Sequence, residues 1–268
     1  MDIEREEYEE IAGTFGFDVS DAEREAFRDE LTDMVDELEA VTAADGHSAD
    51  DPAGERLGDD EHNAVRRWCS VSTEQTGPLS DCRIGIKDNI AVEGVPMDCG
   101  SSVLTAVPEH SATVVSRLTA AGGEVVCKTN MDEFAGSVRG VTSAHGPIRN
   151  PHDRSRTAGG SSGGSAVVVS TGTADVALGT DTGGSVRIPA SFCGVFGLKP
   201  TYGRIPLTGI VEHTYCTDHV GIFAESLEDV EKTLACLDGP DEGDVTSQAV
   251  VAEAAYEPFE VHETGPHG

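Results

Sequence analysis

Apolar residues near the start of the chain recur at the spacing of one helix face, and the opposite face is almost entirely Asp and Glu. This pattern is typical of an amphipathic helix that packs against a larger body. We therefore expect residues 1–60 to form an acidic N-terminal helical segment followed by a linker, where Gly, Pro and Asp accumulate. The recurring apolar positions are Phe27, Leu31, Met34, Val35 and Leu38.

In the centre of the chain, short strand patterns alternate with helical patterns. Residues 84–86 and 124–128 are predicted strands, and residues 112–121 are a predicted helix between them. Two further apolar stretches, 165–170 and 174–179, surround a glycine turn. This order predicts an α/β fold in which a mixed β-sheet is covered by helices.

A last helix is predicted after Ser226, which has the short polar side chain of an N-cap residue. Val230, Leu234 and Leu237 then fall on one face of that helix. The sequence beyond the helix becomes rich in Gly, Pro and acidic residues. We predict no regular element for residues 246–268, which form an acidic tail.

The charge of the chain excludes several classes of partner. Asp and Glu outnumber Lys and Arg by 49 to 18, which gives a formal net charge of −31. Such a surface repels phosphate groups, so direct binding to nucleic acid or to an anionic membrane is not expected. We interpret the charge as an adaptation to a high-salt cytoplasm, where screening removes the self-repulsion. Disorder is the alternative explanation for the acidic stretch at 43–60.

Seven cysteines, an odd number without a C-x-x-C pair, predict neither a disulfide framework nor a zinc site. Free thiols are expected in a reducing cytoplasm. The N-terminus lacks a basic and then apolar signal sequence, and no apolar run approaches the length of a membrane span. A cytoplasmic protein with no metal and no cofactor is expected.

Two glycine-lined serine clusters carry the candidate chemistry. They read Gly-Gly-Ser-Ser-Gly-Gly-Ser at 159–165 and Gly-Thr-Asp-Thr-Gly-Gly-Ser-Val-Arg at 179–187. Glycine lets the chain turn sharply and lets a ligand approach its N–H groups, so these loops predict an oxyanion cradle with a nucleophile. A flexible linker is the alternative, but the flanking segments are rich in Val, Ala and Leu and therefore favour burial.

A serine nucleophile needs a base. Residues 159–163 satisfy the G-x-S-x-G pattern of α/β-hydrolases, with Asp218 and His219 downstream. That interpretation is disfavoured because a loop, not a strand, precedes the motif, and because adjacent side chains point in different directions. The other candidate is Lys87, at a predicted strand end, where burial favours the neutral amine. An ion pair with Asp88 is the alternative role for Lys87.

Several of these segments closely resemble the amidase signature family. The resemblance covers about residues 84–238, and we expect the family core to occupy residues 61–245. It implies the amidase signature fold. Because the chain is short for the family, we expect that fold to be incomplete and the chain to be C-terminally truncated. The matching segments are 85–89, 128–134, 159–165, 179–190, 192–194 and 197–201.

By position, the resemblance assigns a Ser–cis-Ser–Lys triad to this sequence. Ser185 is the implied nucleophile, Ser161 the implied proton relay and Lys87 the implied base. A cis peptide bond is implied before Ser161. The remaining assignments are an oxyanion hole at Thr182, Gly183 and Gly184, supporting roles for Ser162, Asp181 and Arg187, and a substrate contact at Met131. We expect Asp181 and Arg187 to form a pair that fixes the shape of the loop.

Three functions remain open within this family. Residues 186–190, 205–210 and 217–221 look more like stand-alone amidases, which favours hydrolysis of a carboxamide to an acid and ammonia. Residues 128–134 and 180–184 look like the glutaminase subunit of a tRNA-dependent amidotransferase. The third hypothesis is a non-catalytic fragment. The expected partners are a small-molecule amide and either further copies of the chain or a protein carrying the missing C-terminal half.

Overall fold

The computed structural model describes residues 60–248. The predicted N-terminal helical segment, nearly all of its linker and most of the predicted tail lie outside these residues. Residues 245–248 are helical, although the sequence pattern predicts no element after Leu237.

The described residues form a six-stranded mixed sheet in the order β1-β3-β2-β4-β6-β5. Strands β3, β2 and β4 are mutually parallel, β1 and β6 run antiparallel to them, and β5 pairs antiparallel with β6. This arrangement agrees with the predicted mixed sheet. The strands are β1 (Val65–Val71), β2 (Arg83–Lys87), β3 (Glu124–Thr129), β4 (Val176–Asp181), β5 (Phe196–Leu198) and β6 (His219–Ala224).

Within residues 60–248, four α-helices and one short 3-10 turn accompany the sheet, besides the helical residues 245–248. The predicted strand–helix–strand unit is confirmed, because α1 connects the parallel neighbours β2 and β3. The N-cap prediction is also confirmed, since the Ser226 hydroxyl accepts the N–H of Asp229 at 3.1 Å. The elements are α1 (Thr113–Ala120), the 3-10 turn (Glu133–Ala135), α2 (Gly163–Ser170), α3 (Arg187–Cys193) and α4 (Leu227–Leu237).

The sheet carries an apolar core on each face. Along β4, Val176 and Leu178 belong to one core, which includes the apolar faces of α1 and α4. Ala177 belongs to the other core, which includes α2 and α3. This alternation follows from the two-residue period of a strand. Helix α2 differs from α1 and α4 because every residue from Gly163 to Val169 is buried.

Strands β1, β5 and β6 are absent from the sequence-based prediction. In β1, Arg66 and Arg67 interrupt the apolar pattern, yet Arg67 is buried within 3.6 Å of the Asp98 carboxylate. In β6, Val220–Ala224 is a short, fully buried apolar run. Such a run has no strand periodicity to detect.

Candidate active site

The carboxyl ends of two parallel strands bring the candidate residues together. Strand β2 ends at Lys87 and its neighbour β4 ends at Asp181, with Ile86 paired to Leu178. Helix α2 begins after Ser162 and packs on both strands. Residues that follow β2 and β4, and those that precede α2, therefore meet at one edge of the sheet.

Lys87 lies at the centre of this arrangement. Its side chain is fully buried, and its Nζ lies 2.7 Å from Ser161 Oγ and 2.7 Å from Thr180 Oγ1. The Thr180 carbonyl oxygen is 3.5 Å away. Lys87 and Ser161, the implied base and relay, are thus in direct contact.

Burial sets the charge state of Lys87. Removing the ammonium from water lowers the pKa of Lys87 from 10.5 to about 7. The charges of Asp132, Asp218 and Asp181 oppose this shift, but they do not offset the desolvation. A large fraction of the amine is therefore neutral near pH 7 and able to accept a proton.

The peptide bond between Gly160 and Ser161 is cis, as the family resemblance implies. The Ser161 carbonyl accepts the N–H of Asp132 at 3.2 Å. Ser162 supports the next position, because its hydroxyl donates to the Thr180 carbonyl at 3.0 Å and accepts the Thr180 N–H at 3.2 Å. These bonds join the start of α2 to the end of β4.

Ser185 reaches the site through its main chain. Its carbonyl accepts the Ser162 N–H at 3.1 Å, which sets the two serine loops side by side. The side chain is almost completely buried. Within residues 60–248, we find no hydrogen bond from the Ser185 hydroxyl. The structure therefore joins Lys87 to Ser161 directly and brings Ser185 alongside them without a Ser161–Ser185 side-chain bond.

Asp181 fixes the loop that precedes Ser185. Its buried carboxylate accepts the N–H groups of Gly184 at 2.8 Å and Val186 at 3.0 Å, and it pairs with Arg187 at 2.8 Å. The expected pair is present. Burial alone would raise the pKa of Asp181, but these hydrogen bonds and the guanidinium charge outweigh it and lower the pKa to about 2.

The predicted oxyanion hole needs one correction. The Gly184 N–H is not directed into the site, because it donates to the Asp181 carboxylate. Thr182 and Gly183 remain as predicted donors. The hydroxyl of Thr182 donates to the Asp218 carboxylate at 2.5 Å, and this hydrogen bond fixes the Thr182 side chain.

Asp218 and His219 do not form a base for the serines. The other oxygen of Asp218 accepts the N–H groups of His213 at 2.6 Å and Thr214 at 3.2 Å, which stabilises a loop. The Nδ1 atom of His219 faces the Thr217 carbonyl at 2.7 Å. The geometry therefore gives no support to an α/β-hydrolase triad.

The substrate contact expected at Met131 stays a prediction. The Met131 side chain is fully buried in a small apolar cluster with Ala91, Met97, Cys99 and Ala135. Lys87 and Ser161 are equally buried, so burial by itself does not separate Met131 from the candidate site. The contacts of its side chain among the described residues are those of core packing.

Two contributors were missed from the sequence. Thr180 supplies the second hydroxyl beside Lys87, and the Asn89 Nδ2 donates to that hydroxyl at 3.3 Å. Both residues lie inside the segments that carry the family resemblance, and this position is the feature of the sequence from which they could have been found.

Among the described residues, no helix is long and apolar enough to cross a membrane. The same residues contain no group of three or more His, Cys, Asp or Glu side chains arranged to hold a metal ion.

Comparison with known proteins shows which family has a sequence similar to this chain. A sequence model of the amidase family matches residues 61–265. The A subunit of glutamyl-tRNA(Gln) amidotransferase from Halobacterium salinarum is 49% identical over 195 residues, which are 72% of this chain and 46% of that protein.

Solved structures agree with this match. The crystal structure of the A subunit of glutamyl-tRNA(Gln) amidotransferase from Thermotoga maritima has a TM-score of 0.66 at 42% identity, over 69% of this chain and 41% of that one. A crystal structure described as an amidase has a TM-score of 0.61 at 39% identity, over 66% of this chain and 44% of that one. The chain spans less than half the length of these relatives.

Proposed function

The chain belongs to the amidase signature family, and on that premise we propose that it hydrolyses a carboxamide to a carboxylic acid and ammonia. The observation that carries the proposal is the 2.7 Å contact between the buried Lys87 amine and the Ser161 hydroxyl. A buried lysine with a lowered pKa can act as a general base at neutral pH.

In the proposed reaction, Ser185 Oγ attacks the amide carbonyl while its proton passes to Ser161, whose own proton passes to neutral Lys87. The oxyanion of the tetrahedral intermediate is stabilised by the N–H groups of Thr182 and Gly183. The carbon–nitrogen bond then breaks, and the proton returns from Lys87 through Ser161 to the leaving nitrogen. Water attacks the resulting ester by the same proton path, releasing the acid and restoring Ser185.

A second candidate is that the amide is glutamine and that the chain serves as the ammonia-producing subunit of a tRNA-dependent amidotransferase. The names of the curated relatives favour it, because eight of them at 46–51% identity are A subunits of glutamyl-tRNA(Gln) amidotransferase. In this case a protein partner would contact the tRNA, since the net charge of −31 opposes direct binding. The acidic composition and the unpaired cysteines support a high-salt cytoplasmic setting for either reaction.

The test is ammonia release from a panel of simple amides and glutamine in molar KCl. Ser185→Ala is compared with the parent, and Ser155→Ala, an exposed loop serine, is the matched control. Release by the parent and the control that is lost in Ser185→Ala supports the proposal. Preference for glutamine favours the second candidate. A folded parent that releases no ammonia from any amide would contradict hydrolysis by the chain alone and leave a subunit that needs its protein partner or a non-catalytic fragment.

A further inference from the structure

A second lysine, Lys128 on β3, is as deeply buried as Lys87, and the proposed mechanism does not use it. Its Nζ donates to the main-chain carbonyls of Ile90 at 2.6 Å and Asp88 at 3.2 Å. The Asp88 carboxylate oxygen Oδ1 is 3.6 Å away. Burying a lysine amine costs free energy unless its N–H donors are hydrogen-bonded. These contacts satisfy the donors of Lys128, and they raise the question of what the buried amine does for the site.

The two carbonyls bracket Asn89, in the turn that directly follows Lys87. The Asn89 amide donates to Thr180 Oγ1 at 3.3 Å and to the Val211 carbonyl at 3.0 Å. Thr180 Oγ1 is also a partner of Lys87. Lys128 therefore holds the backbone on both sides of a residue that orients the hydroxyl beside the base.

The simpler explanation is that Lys128 only neutralises Asp88. The ion pair with Asp88 Oδ1 at 3.6 Å is present, but the hydrogen bonds of the amine go to the two carbonyls, whereas Asp88 Oδ1 makes no hydrogen bond among the described residues. The other carboxylate oxygen accepts the N–H groups of Asp98 at 2.7 Å and Cys99 at 2.9 Å. A lysine amine has at least two N–H donors in either protonation state, which matches two carbonyl acceptors.

We propose that Lys128 is a positioning residue for the amide reaction, whose amine holds the turn at 88–90 so that Lys87 stays aimed at Ser161. The effect on kcat that this inference predicts rests on the proposed amide hydrolysis. Misplacing a catalytic group by about 1 Å costs on the order of 100-fold in rate. The expected defect is therefore in the chemical step rather than in substrate binding.

The kinetic test compares Lys128→Met with the parent under conditions where both are folded by circular dichroism. We expect kcat to fall about 100-fold while KM changes less than about threefold. Lys232→Met, which removes an exposed lysine paired with Glu228, is the matched control and should leave both constants unchanged. A loss carried mainly by KM, or an unchanged kcat, overturns the proposal.

A double variant separates positioning from charge neutralisation. In Lys128→Met with Asp88→Asn, no unpaired buried charge remains, so stability should recover towards that of the parent. If Lys128 positions the turn, kcat stays low despite that recovery. If kcat returns to the value of Asp88→Asn alone, Lys128 only balances charge and the proposal is wrong. The double variant also carries the test if Lys128→Met alone does not fold.

One readout does not depend on amidase activity. The chain has four lysines, at positions 87, 128, 199 and 232, so their side-chain signals can be followed individually by NMR. In the double variant we expect Lys87 to titrate closer to 10.5, because a loosened turn admits water around it. An unchanged Lys87 titration overturns the inference. A parent that releases no ammonia contradicts the proposed function separately.

Discussion

At the residue scale, Lys87 combines complete burial with two hydroxyl partners at 2.7 Å. Because desolvation lowers its pKa to about 7, we predict that kcat/KM rises with pH up to about 7 and then levels off as the amine becomes neutral. The pH–rate profile checks this. Lys87→Arg, which stays charged, should be inactive at every pH, and a flat parent profile between about pH 6 and 8 would contradict the role.

The same residue links stability to pH. The pKa of Lys87 is about 7 in the folded chain, and its ordinary value of 10.5 applies to the unfolded chain. Between pH 7 and pH 10.5 the unfolded chain therefore binds more protons than the folded chain. Linkage then requires the free energy of unfolding to rise with pH across this window. Lys87→Met lacks this pH dependence. The free energy of unfolding of the variant minus that of the parent should therefore be largest below pH 7 and should decrease as the pH rises above 7. Urea unfolding of both proteins at several pH values is the measurement; a constant difference would refute the shift.

Asp181 is predicted to act through the loop that it organises. Asp181→Asn removes one carboxylate oxygen from a site that holds Gly184, Val186 and Arg187. We expect kcat/KM to fall roughly 100-fold, as when one oxyanion donor is lost. Arg187→Gln should cost less, because the Arg187 side chain is 51% exposed. An equal loss in the two variants would argue against this role.

The pKa of Asp181 gives that prediction a pH window. The folded-state pKa is about 2 and the ordinary value is 3.8. The carboxylate therefore contributes stability that is present above pH 3.8 and is lost as the pH falls through about 2. The asparagine variant should lack this acid-dependent loss in an unfolding titration.

The sequence predicts those residues of the candidate site whose side chains can take part in the reaction themselves, as a base or as a hydroxyl. Lys87 and Ser161 could be named from the family resemblance, and the structure places them in contact. Thr180 and Lys128 lie in the matching segments as well, but their roles could not be predicted there, because these roles depend on which oxygen atoms the fold sets beside them. The contact expected at Met131 stays a prediction, because a motif position does not reveal which side of the backbone a side chain occupies.

At the element scale, α2 contacts β4 through Gly179. A Cβ added at Gly179 would lie 2.6 Å from Ser162 Oγ and 2.8 Å from the Phe223 ring. We predict that Gly179→Ala destabilises the fold by about 1–3 kcal/mol and lowers activity by displacing Ser162. Gly183→Ala is the control for stability, because its Cβ would meet no atom of residues 60–248 within 4 Å. Urea unfolding should separate the two, and equal stabilities would rule out the close contact.

The elements that sequence patterns could identify are those with a clear period or cap. Helix α4 was predicted because Val230, Leu234 and Leu237 share a face after the Ser226 cap. Strand β6 was missed because its burial on both faces removes the polar–apolar alternation. The strand order was equally inaccessible, since β6 lies between β4 and β5 only through long-range pairing.

At the scale of the whole molecule, the net charge of −31 dominates solution behaviour. Self-repulsion among acidic side chains destabilises the compact state, and added salt screens it. We predict that the melting temperature rises steadily between about 0.1 and 2 M KCl. Thermal unfolding across that series is the measurement, with an uncharged osmolyte as control. A melting temperature that does not respond to KCl would refute adaptation to high salt.

Helix α2, which has no exposed side from Gly163 to Val169, has a consequence for how this chain can vary. Helices such as α1 and α4 can accept substitutions on their outer faces, because those positions contact mainly solvent. Helix α2 offers no such face, so nearly every substitution there requires a compensating change in a neighbouring element. The segment that begins beside Ser161 and Ser162 should therefore be the least permissive helix in a saturation-mutagenesis scan, even at positions remote from any chemistry.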